Sequence, residues 1–256
     1  MRTIIAIAMV LAAAVSAAEG ADPREDFLAG RTRACPGCDL SGENFKRHDL
    51  AGADLIGAKL EKANFHDAKL AGAKLAGADL ADANLNKADL RRADLAGAKL
   101  NGAMLYAADL DAAKLAGADL SEALMGTARF TRTDLTKSIL RNADLRKTRF
   151  SDAILTGADL SGAALDFALL RSAKLDTAVL GDTRLIEAEF TDASLVGADL
   201  ADADAAGANF RGANLTRANL AGASFRKADL YDTLLEGARF HDTIMPDGTR
   251  RTDGEP

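Results

Sequence analysis

The sequence predicts an all-β solenoid in which short extended edges are joined by tight corners. Leu or Phe occupies 39 of the 42 positions divisible by five between Leu40 and Met245, with Met125, Ala205 and Met245 as exceptions. A period of five suits neither a helix nor a strand, because five helical steps rotate the side chain by about 140° and five extended steps reverse its face. The chain must therefore turn once in every five residues.

Two further observations define the shape of each five-residue repeat. A small residue stands two positions before each large apolar one, as Ala78 does before Leu80. Positions two apart in an extended segment share a face, so each repeat has one large and one small inward side chain. Glycine often fills the second position after the large residue, as at Gly77 and Gly97. It supplies the positive φ that a type II turn requires.

Charged residues predict how many edges close one coil, since residues stacked in adjacent coils lie roughly 4.8 Å apart. With four edges, residues twenty apart stack, and one column alternates in sign through Lys59, Asp79 and Lys99. With three edges, Lys59 would stack on Lys74 and Asp79 on Asp94, which like-charge repulsion disfavours. The sequence therefore predicts four edges, about ten coils and a rod roughly 50 Å long.

This run of residues resembles the pentapeptide-repeat family, whose repeat is usually written A-(D/N)-L-x-x. Ala78-Asp79-Leu80 and Ala83-Asn84-Leu85 follow that pattern, and the match covers residues 35–245. The resemblance implies a right-handed quadrilateral β-helix. The motif C-P-G-C-D-L-S-G at residues 35–42 resembles the start of the first coil in lumenal and periplasmic members, and residues 243–249 resemble a common family ending.

Residues 1–18 have the features of a cleaved secretory signal peptide. Arg2 precedes an apolar run over residues 4–15, and small residues follow as far as Ala17 or Ala18. An uncleaved membrane anchor is the alternative, but the run is shorter than the roughly 20 residues that span a bilayer. We expect a periplasmic or secreted protein with no membrane span in the mature chain.

Residues 19–34 are predicted to form a linker and a short N-terminal capping helix. Asp22 precedes a proline and two acidic residues, a pattern typical of a helix start. We expect a helix from about Pro23 to Arg31 that places Phe27 and Leu28 over the open end of the first coil. Such a cap would cover strand edges that otherwise favour association.

Residues 246–256 are predicted to be a polar C-terminal tail that covers little of the last coil. Pro246 has no backbone N–H to donate, and the residues after Arg250 are polar and few. The C-terminal coil is therefore the expected site of any self-association.

The two cysteines, Cys35 and Cys38, have three possible roles, because a C-x-x-C motif occurs in redox centres, zinc sites and simple disulfides. Two ligands do not complete a zinc site, and His48, His66 and His241 lie far apart in the sequence without metal-binding spacing. A buried structural disulfide is the favoured interpretation for an exported protein. Free buried thiols and a redox centre remain alternatives.

The sequence contains no residue pattern typical of an enzyme or of a cofactor site. It has no Ser-His-Asp or Cys-His arrangement, no carboxylate cluster for a metal, no phosphate-binding loop and no dinucleotide fingerprint. It also lacks a basic stripe with aromatic residues for nucleic acid. We expect a non-enzymatic protein that binds no cofactor, metal or nucleic acid.

Exposed apolar residues are the candidates for a partner-binding surface. They are Met104, Leu124, Ile139, Ile154, Phe167, Leu169 and Val179. An exported rod would use such residues to bind an envelope or periplasmic protein. Isolated apolar residues are common on protein surfaces, so a passive envelope spacer is an alternative.

Mimicry of duplex DNA is a further alternative, because family members that protect topoisomerases resemble a DNA rod in shape and acidity. One corner column contains Asp82, Glu122, Asp182, Asp202 and Asp242. Lys62 in that column, the sign alternation on two faces and the export signal oppose this function. The sequence thus predicts an exported, non-enzymatic interaction or structural rod.

Overall fold

The computed structural model describes residues 22–253, which form a four-sided β-helix. Residues twenty apart make parallel bridges along the whole rod, from Ala34 with Asp54 to Ser224 with Ile244. Four five-residue repeats therefore complete one coil, as the alternating charges predict. The proposed signal peptide lies outside the described residues.

The four faces are numbered here in chain order by the outward residue of the first coil. Face 1 begins at Asp39, face 2 at Asn44, face 3 at Asp49 and face 4 at Asp54. Each corner takes the numbers of the two faces that it joins, so corner 2–3 lies between faces 2 and 3.

The interior is filled by the large and small inward side chains of each repeat. Every large position from Leu55 to Leu220 is buried. Rings twenty residues apart stack, with 4.8 Å between the centroids of Phe130 and Phe150. Backbone bonds join adjacent coils, and the N–H of Leu80 donates to the carbonyl of Lys99 at 2.7 Å. Each coil is thus held by its two neighbours.

The second residue of each corner has a left-handed conformation. Gly77 has φ of 64°, as the sequence predicts. Other residues hold the same conformation, including Arg92 at 57°, Ala107 at 55° and Phe167 at 59°. This conformation costs a non-glycine residue about 1–2 kcal/mol. The coil geometry imposes it, and bonding to neighbouring coils offsets the cost.

The N-terminal helix α1 spans Pro23–Leu28 and ends before the expected Arg31. Gly30 has φ of 70° and donates its N–H to the carbonyl of Phe27. The N–H of Arg31 donates to the carbonyl of Asp26. These two bonds form a Schellman motif, which terminates the helix at the glycine.

Helix α1 covers the first coil through one aromatic side chain. Phe27 is buried and lies edge-on to Phe45, with 5.9 Å between the ring centroids. Leu28 is exposed, so the expectation that both residues cover the coil is wrong for Leu28. Arg24 adds a hydrogen bond from its side chain to the carbonyl of Asp39 at 2.7 Å.

The C-terminal tail covers part of the last coil, which corrects the expectation of a tail with little contact. Strand β1, Thr243–Ile244, pairs antiparallel with strand β2, Arg250–Arg251. The carboxylate of Asp253 accepts the N–H of Phe240 at 2.9 Å. The guanidinium of Arg251 lies 3.6 Å from the centroid of the Phe240 ring. Phe240 is consequently buried.

The remaining edges of the last coil are open. No described residue accepts the backbone N–H of Leu230 or Leu235. Tyr231 and Leu234 on the same coil are 67% and 56% exposed. Unpaired strand edges beside apolar side chains are the usual template for association. The last coil thus has open strand edges, and self-association through it stays a prediction.

Candidate interaction surfaces

Two of the predicted surface residues lie side by side on face 2. Met104 and Leu124 are bridge partners in adjacent coils. Leu124 is 50% exposed, and Met104 is half-buried beside it. Stacking places the two side chains roughly 4.8 Å apart, so they form one continuous apolar spot.

Two further predicted residues lie at corner 2–3 and on the adjoining face 3. Phe167 is at the corner and 45% exposed, and Leu169 follows it on face 3. The ammonium group of Lys147 lies 5.9 Å from the centroid of the Phe167 ring. Ile186 in the next coil accepts the N–H of Phe167 and adds an apolar flank.

Tyr106 lies at the same corner and was not identified from the sequence. Its side chain is 54% exposed. Its ring covers Gly126, with Cδ2 3.5 Å from the position that a Cβ would occupy there. The signal was present, because Tyr106 follows Met104 by two residues and precedes a glycine in the next coil.

These residues together define what we term the corner 2–3 surface. It comprises Met104, Tyr106, Leu124, Phe167 and Leu169. Four of its five members come from the predicted set. They form two apolar spots on one edge of the central coils, separated by the coil that carries Asp144, Arg146 and Lys147.

The other three predicted residues lie elsewhere on the rod. Ile139 and Val179 are on face 1, and Ile154 is on face 4. Ile139 and Ile154 are half-buried. The structure therefore does not bring all seven candidates together, since columns on different faces point in different directions.

The predicted charge ladder is present on faces 1 and 4. The ammonium of Lys99 lies 3.1 Å from a carboxylate oxygen of Asp79, and that of Lys74 lies 3.3 Å from Asp54. All four side chains remain accessible to solvent, which limits each pair to roughly 0–1 kcal/mol. These carboxylates are explained by structural pairing rather than by acid–base chemistry.

A family model for pentapeptide repeats matches the chain in eight copies, within residues 37–202 and 206–242. The chain belongs to the pentapeptide-repeat family. Its β-helix is accordingly the right-handed quadrilateral form that the resemblance implied.

Three solved structures show the extent of the similarity. HetL from the cyanobacterium Nostoc, a pentapeptide repeat protein involved in heterocyst differentiation regulation, is 33% identical; the match covers 89% of this chain and 97% of HetL, with a TM-score of 0.49. A pentapeptide repeat protein from the Arabidopsis thaliana thylakoid lumen is 38% identical over 39% of this chain and 70% of its own, with a TM-score of 0.39. QnrB1, a plasmid-mediated fluoroquinolone resistance protein, is 18% identical over 80% of this chain and 92% of its own, with a TM-score of 0.50. No curated protein sequence matches.

The cysteines of this pentapeptide-repeat protein lie at disulfide distance across the first corner. The Cα atoms of Cys35 and Cys38 are 5.4 Å apart, and their sulfur atoms are at bonding distance. Cys35 is fully buried, and its Sγ lies 3.4 Å from the carbonyl oxygen of Pro23 in α1. Cys38 is only half-buried, so the first coil does not enclose both sulfur atoms equally.

The pKa values of several carboxyl groups are shifted by ion pairs that belong to the fold. Arg91 donates two side-chain hydrogen bonds, of 2.8 and 2.7 Å, to Asp89. These bonds lower the pKa of Asp89. Arg146 lowers the pKa of Asp144 in the same way from two positions away. Each of these two carboxylates is thus held by an arginine as part of the fold.

Residues 22–253 contain no cluster of His, Cys, Asp and Glu side chains that would hold a metal ion. Within the same span, no helix is long and apolar enough to cross a bilayer.

Proposed function

We propose that the protein is an exported, non-enzymatic scaffold that binds an envelope or periplasmic protein through the corner 2–3 surface. The observation that supports this proposal is the alignment of Leu124, Tyr106 and Phe167 along one edge of the rod. Large exposed apolar and aromatic side chains that share one edge of a protein are typical of protein-binding sites. Family membership agrees with an interaction role.

The fold supplies rigidity to this surface. Every repeat beneath it is bonded to both adjacent coils and has buried inward side chains. Exposed side chains on such a scaffold lose little backbone entropy when a partner binds. The protein can therefore present an apolar edge without a disordered loop.

The experiment compares partner capture by three forms of the mature protein from envelope and periplasmic fractions. The first is the parent, and the second carries Met104→Lys, Leu124→Lys and Phe167→Lys. The third is a matched control with the same charge change on the other faces, Ile139→Lys, Ile154→Lys and Val179→Lys.

We expect one protein to be captured by the parent and the control and to be lost with the corner 2–3 variant. Circular dichroism checks that all three forms keep the β-helix. Equal capture by all three forms would show that the apolar edge does not bind the partner. Absence of any captured protein would favour a passive envelope spacer.

Export is a separate part of the proposal and has its own test. It rests on the signal-like residues 1–18 and on the disulfide distance between Cys35 and Cys38, since disulfides persist in oxidising compartments. Cell fractionation and mass spectrometry should recover a periplasmic or secreted chain that begins after Ala17 or Ala18. An intact chain in the cytosol would contradict export.

Duplex mimicry receives less support from the geometry. The acidic residues of corner 1–2 include Asp82 and Asp202, whose carboxylates fold onto Gly102 and Gly222 of the next coil. Lys62 lies in the same column. The acidic groups therefore do not form a regular outward array comparable to phosphates.

A further inference from the structure

We propose that an arginine-lined groove at corner 3–4 binds a compact ligand that carries at least two oxyanionic groups, phosphate or carboxylate. The groove has a volume of about 710 Å³ and is open to solvent. Its lining includes four arginines and two aspartates, namely Arg91, Arg92, Arg129, Arg132, Asp109 and Asp111. The site is separate from the corner 2–3 surface.

The groove has a structural origin in the size of the corner residues. Ala71, Gly72 and Ala112 line it together with the longer arginine side chains of the neighbouring coils. A small residue at a corner leaves space between arginines that extend outward. The local sequence therefore builds a concave, cationic surface on a protein whose formal net charge is −6.

Two of the arginines are fixed by carboxylates. Arg91 is bound in a two-bond pair with Asp89. Arg129 donates to Asp111 at 2.6 Å and lies 3.8 Å from Asp109. These pairs balance the like-charge stacking of Asp89 on Asp109 and hold the walls of the groove in place.

The other two arginines supply charge that is available to a ligand. In the part of the chain that the structure describes, no ion pair or side-chain hydrogen bond involves Arg92 or Arg132. Both are exposed second-corner residues, two coils apart. At the coil spacing this places their backbones roughly 10 Å apart.

The guanidinium groups determine the class of ligand. A guanidinium offers parallel N–H donors that match the two oxygens of a carboxylate or phosphate. Two such groups on backbones roughly 10 Å apart favour a ligand with two or more oxyanions over a single small anion.

The test is isothermal titration calorimetry with sodium tripolyphosphate at low ionic strength. The variant is Arg92→Gly with Arg132→Gly. Glycine occupies the same column at Gly72 and Gly212 with positive φ, so the replacement suits the backbone. The matched control is Arg217→Gly with Lys227→Gly, which removes the same charge from two other positive-φ corners.

We expect the parent and the control to bind tripolyphosphate and the groove variant to bind at least about tenfold more weakly. Added salt should weaken binding by the parent. A parallel sedimentation assay with phosphatidylglycerol vesicles distinguishes a lipid headgroup from a soluble oxyanion.

Loss of binding to either probe in the groove variant, but not in the control, supports the site. Equal binding by all three forms, or no binding to either probe, would overturn the proposal. Neither result depends on whether the corner 2–3 surface captures a protein.

Discussion

Single residues are constrained most strongly at the second position of each corner, where φ is positive regardless of residue type. Gly77 has φ of 64° and open space where a Cβ would lie. The substitution Gly77→Ala should therefore lower the free energy of unfolding by about 1 kcal/mol through the backbone alone. Urea unfolding measures this change. The reverse substitution, Ala107→Gly, should raise the free energy of unfolding, and a decrease there would contradict the explanation.

Two aspartates paired with an arginine two positions later should give the protein a stability that depends on pH. The pKa values of Asp89 and Asp144 are lowered in the folded protein, and the hydrogen bonds from the arginine side chains are the largest cause. The free energy of unfolding that these two carboxylates contribute is complete above the pKa of about 3.9 that they have in the unfolded chain. It is lost as the pH falls through their lower pKa in the folded protein. The double variant Asp89→Asn with Asp144→Asn should flatten the fall of stability at acidic pH. An unchanged pH profile in urea unfolding would disprove the assignment.

At the scale of single elements, helix α1 covers the interior of the first coil with the ring of Phe27. Phe27→Ala removes a buried ring that packs on Phe45, and the opening free energy of the first coil should fall by about 3 kcal/mol. Hydrogen exchange at the amides of Leu40 and Phe45 measures this loss. Amides of the central coils should keep their protection, since each coil contacts only its neighbours.

Leu28→Ala provides the matched control for helix α1, because that side chain is exposed. It should leave exchange in the first coil unchanged. Equal effects of the two substitutions would mean that the helix acts through its backbone.

The charge ladders are elements that run along a face. Lys99→Glu places a carboxylate between Asp79 and Asp119, its partners in the adjacent coils. The free energy of unfolding should fall by about 1 kcal/mol, and salt should reduce the loss. Lys137→Glu makes the same charge change beside Gly157. It should have a smaller effect, because glycine has no charged side chain to repel the new carboxylate. Similar losses in both variants would rule out pairing along the column.

The sequence predicts the repeating elements well because each of the five positions in a repeat has one structural role, either inward, outward or at a corner. The alternation of Lys59, Asp79 and Lys99 was sufficient to identify four edges per coil. The acidic residues after Pro23 predict the start of α1 correctly. The predicted end at Arg31 is three residues too far, because the positive φ of Gly30 ends the helix at Leu28. The C-terminal pairing was missed, although Asp247-Gly248 is a common turn sequence between short strands.

The proposed interaction surfaces were predicted from the sequence only in part. Columns of residues twenty apart in the sequence identify which apolar residues stack, as for Met104 and Leu124. They do not show how far a corner side chain extends over the next coil, which is why Tyr106 was missed. The groove at corner 3–4 depends on the directions taken by Arg92 and Arg132 and could not be predicted from spacing.

For the whole molecule, the two ends of the rod differ in how well they are covered. Helix α1 covers the first coil, whereas Leu230 and Leu235 have no acceptor for their N–H groups among the described residues. We expect weak self-association through the C-terminal coil. Sedimentation velocity should show a concentration-dependent increase for the parent protein.

The variant Tyr231→Asp with Leu234→Asp should abolish this increase, because both exposed apolar side chains at the open end are lost. The control, Tyr106→Asp with Leu124→Asp, makes the same changes in the central coils and should behave like the parent. A parent that stays monomeric at every concentration would contradict the prediction.

The bonding of each coil to its two neighbours alone also has an evolutionary consequence. A duplication or loss of twenty residues would insert or remove one complete layer and leave all inward positions in register. The distance from the arginine groove to the open end would then change by roughly 4.8 Å while both surfaces kept their composition. Selection could thus adjust the length of the molecule in fixed increments without changing the residues of the two proposed binding surfaces.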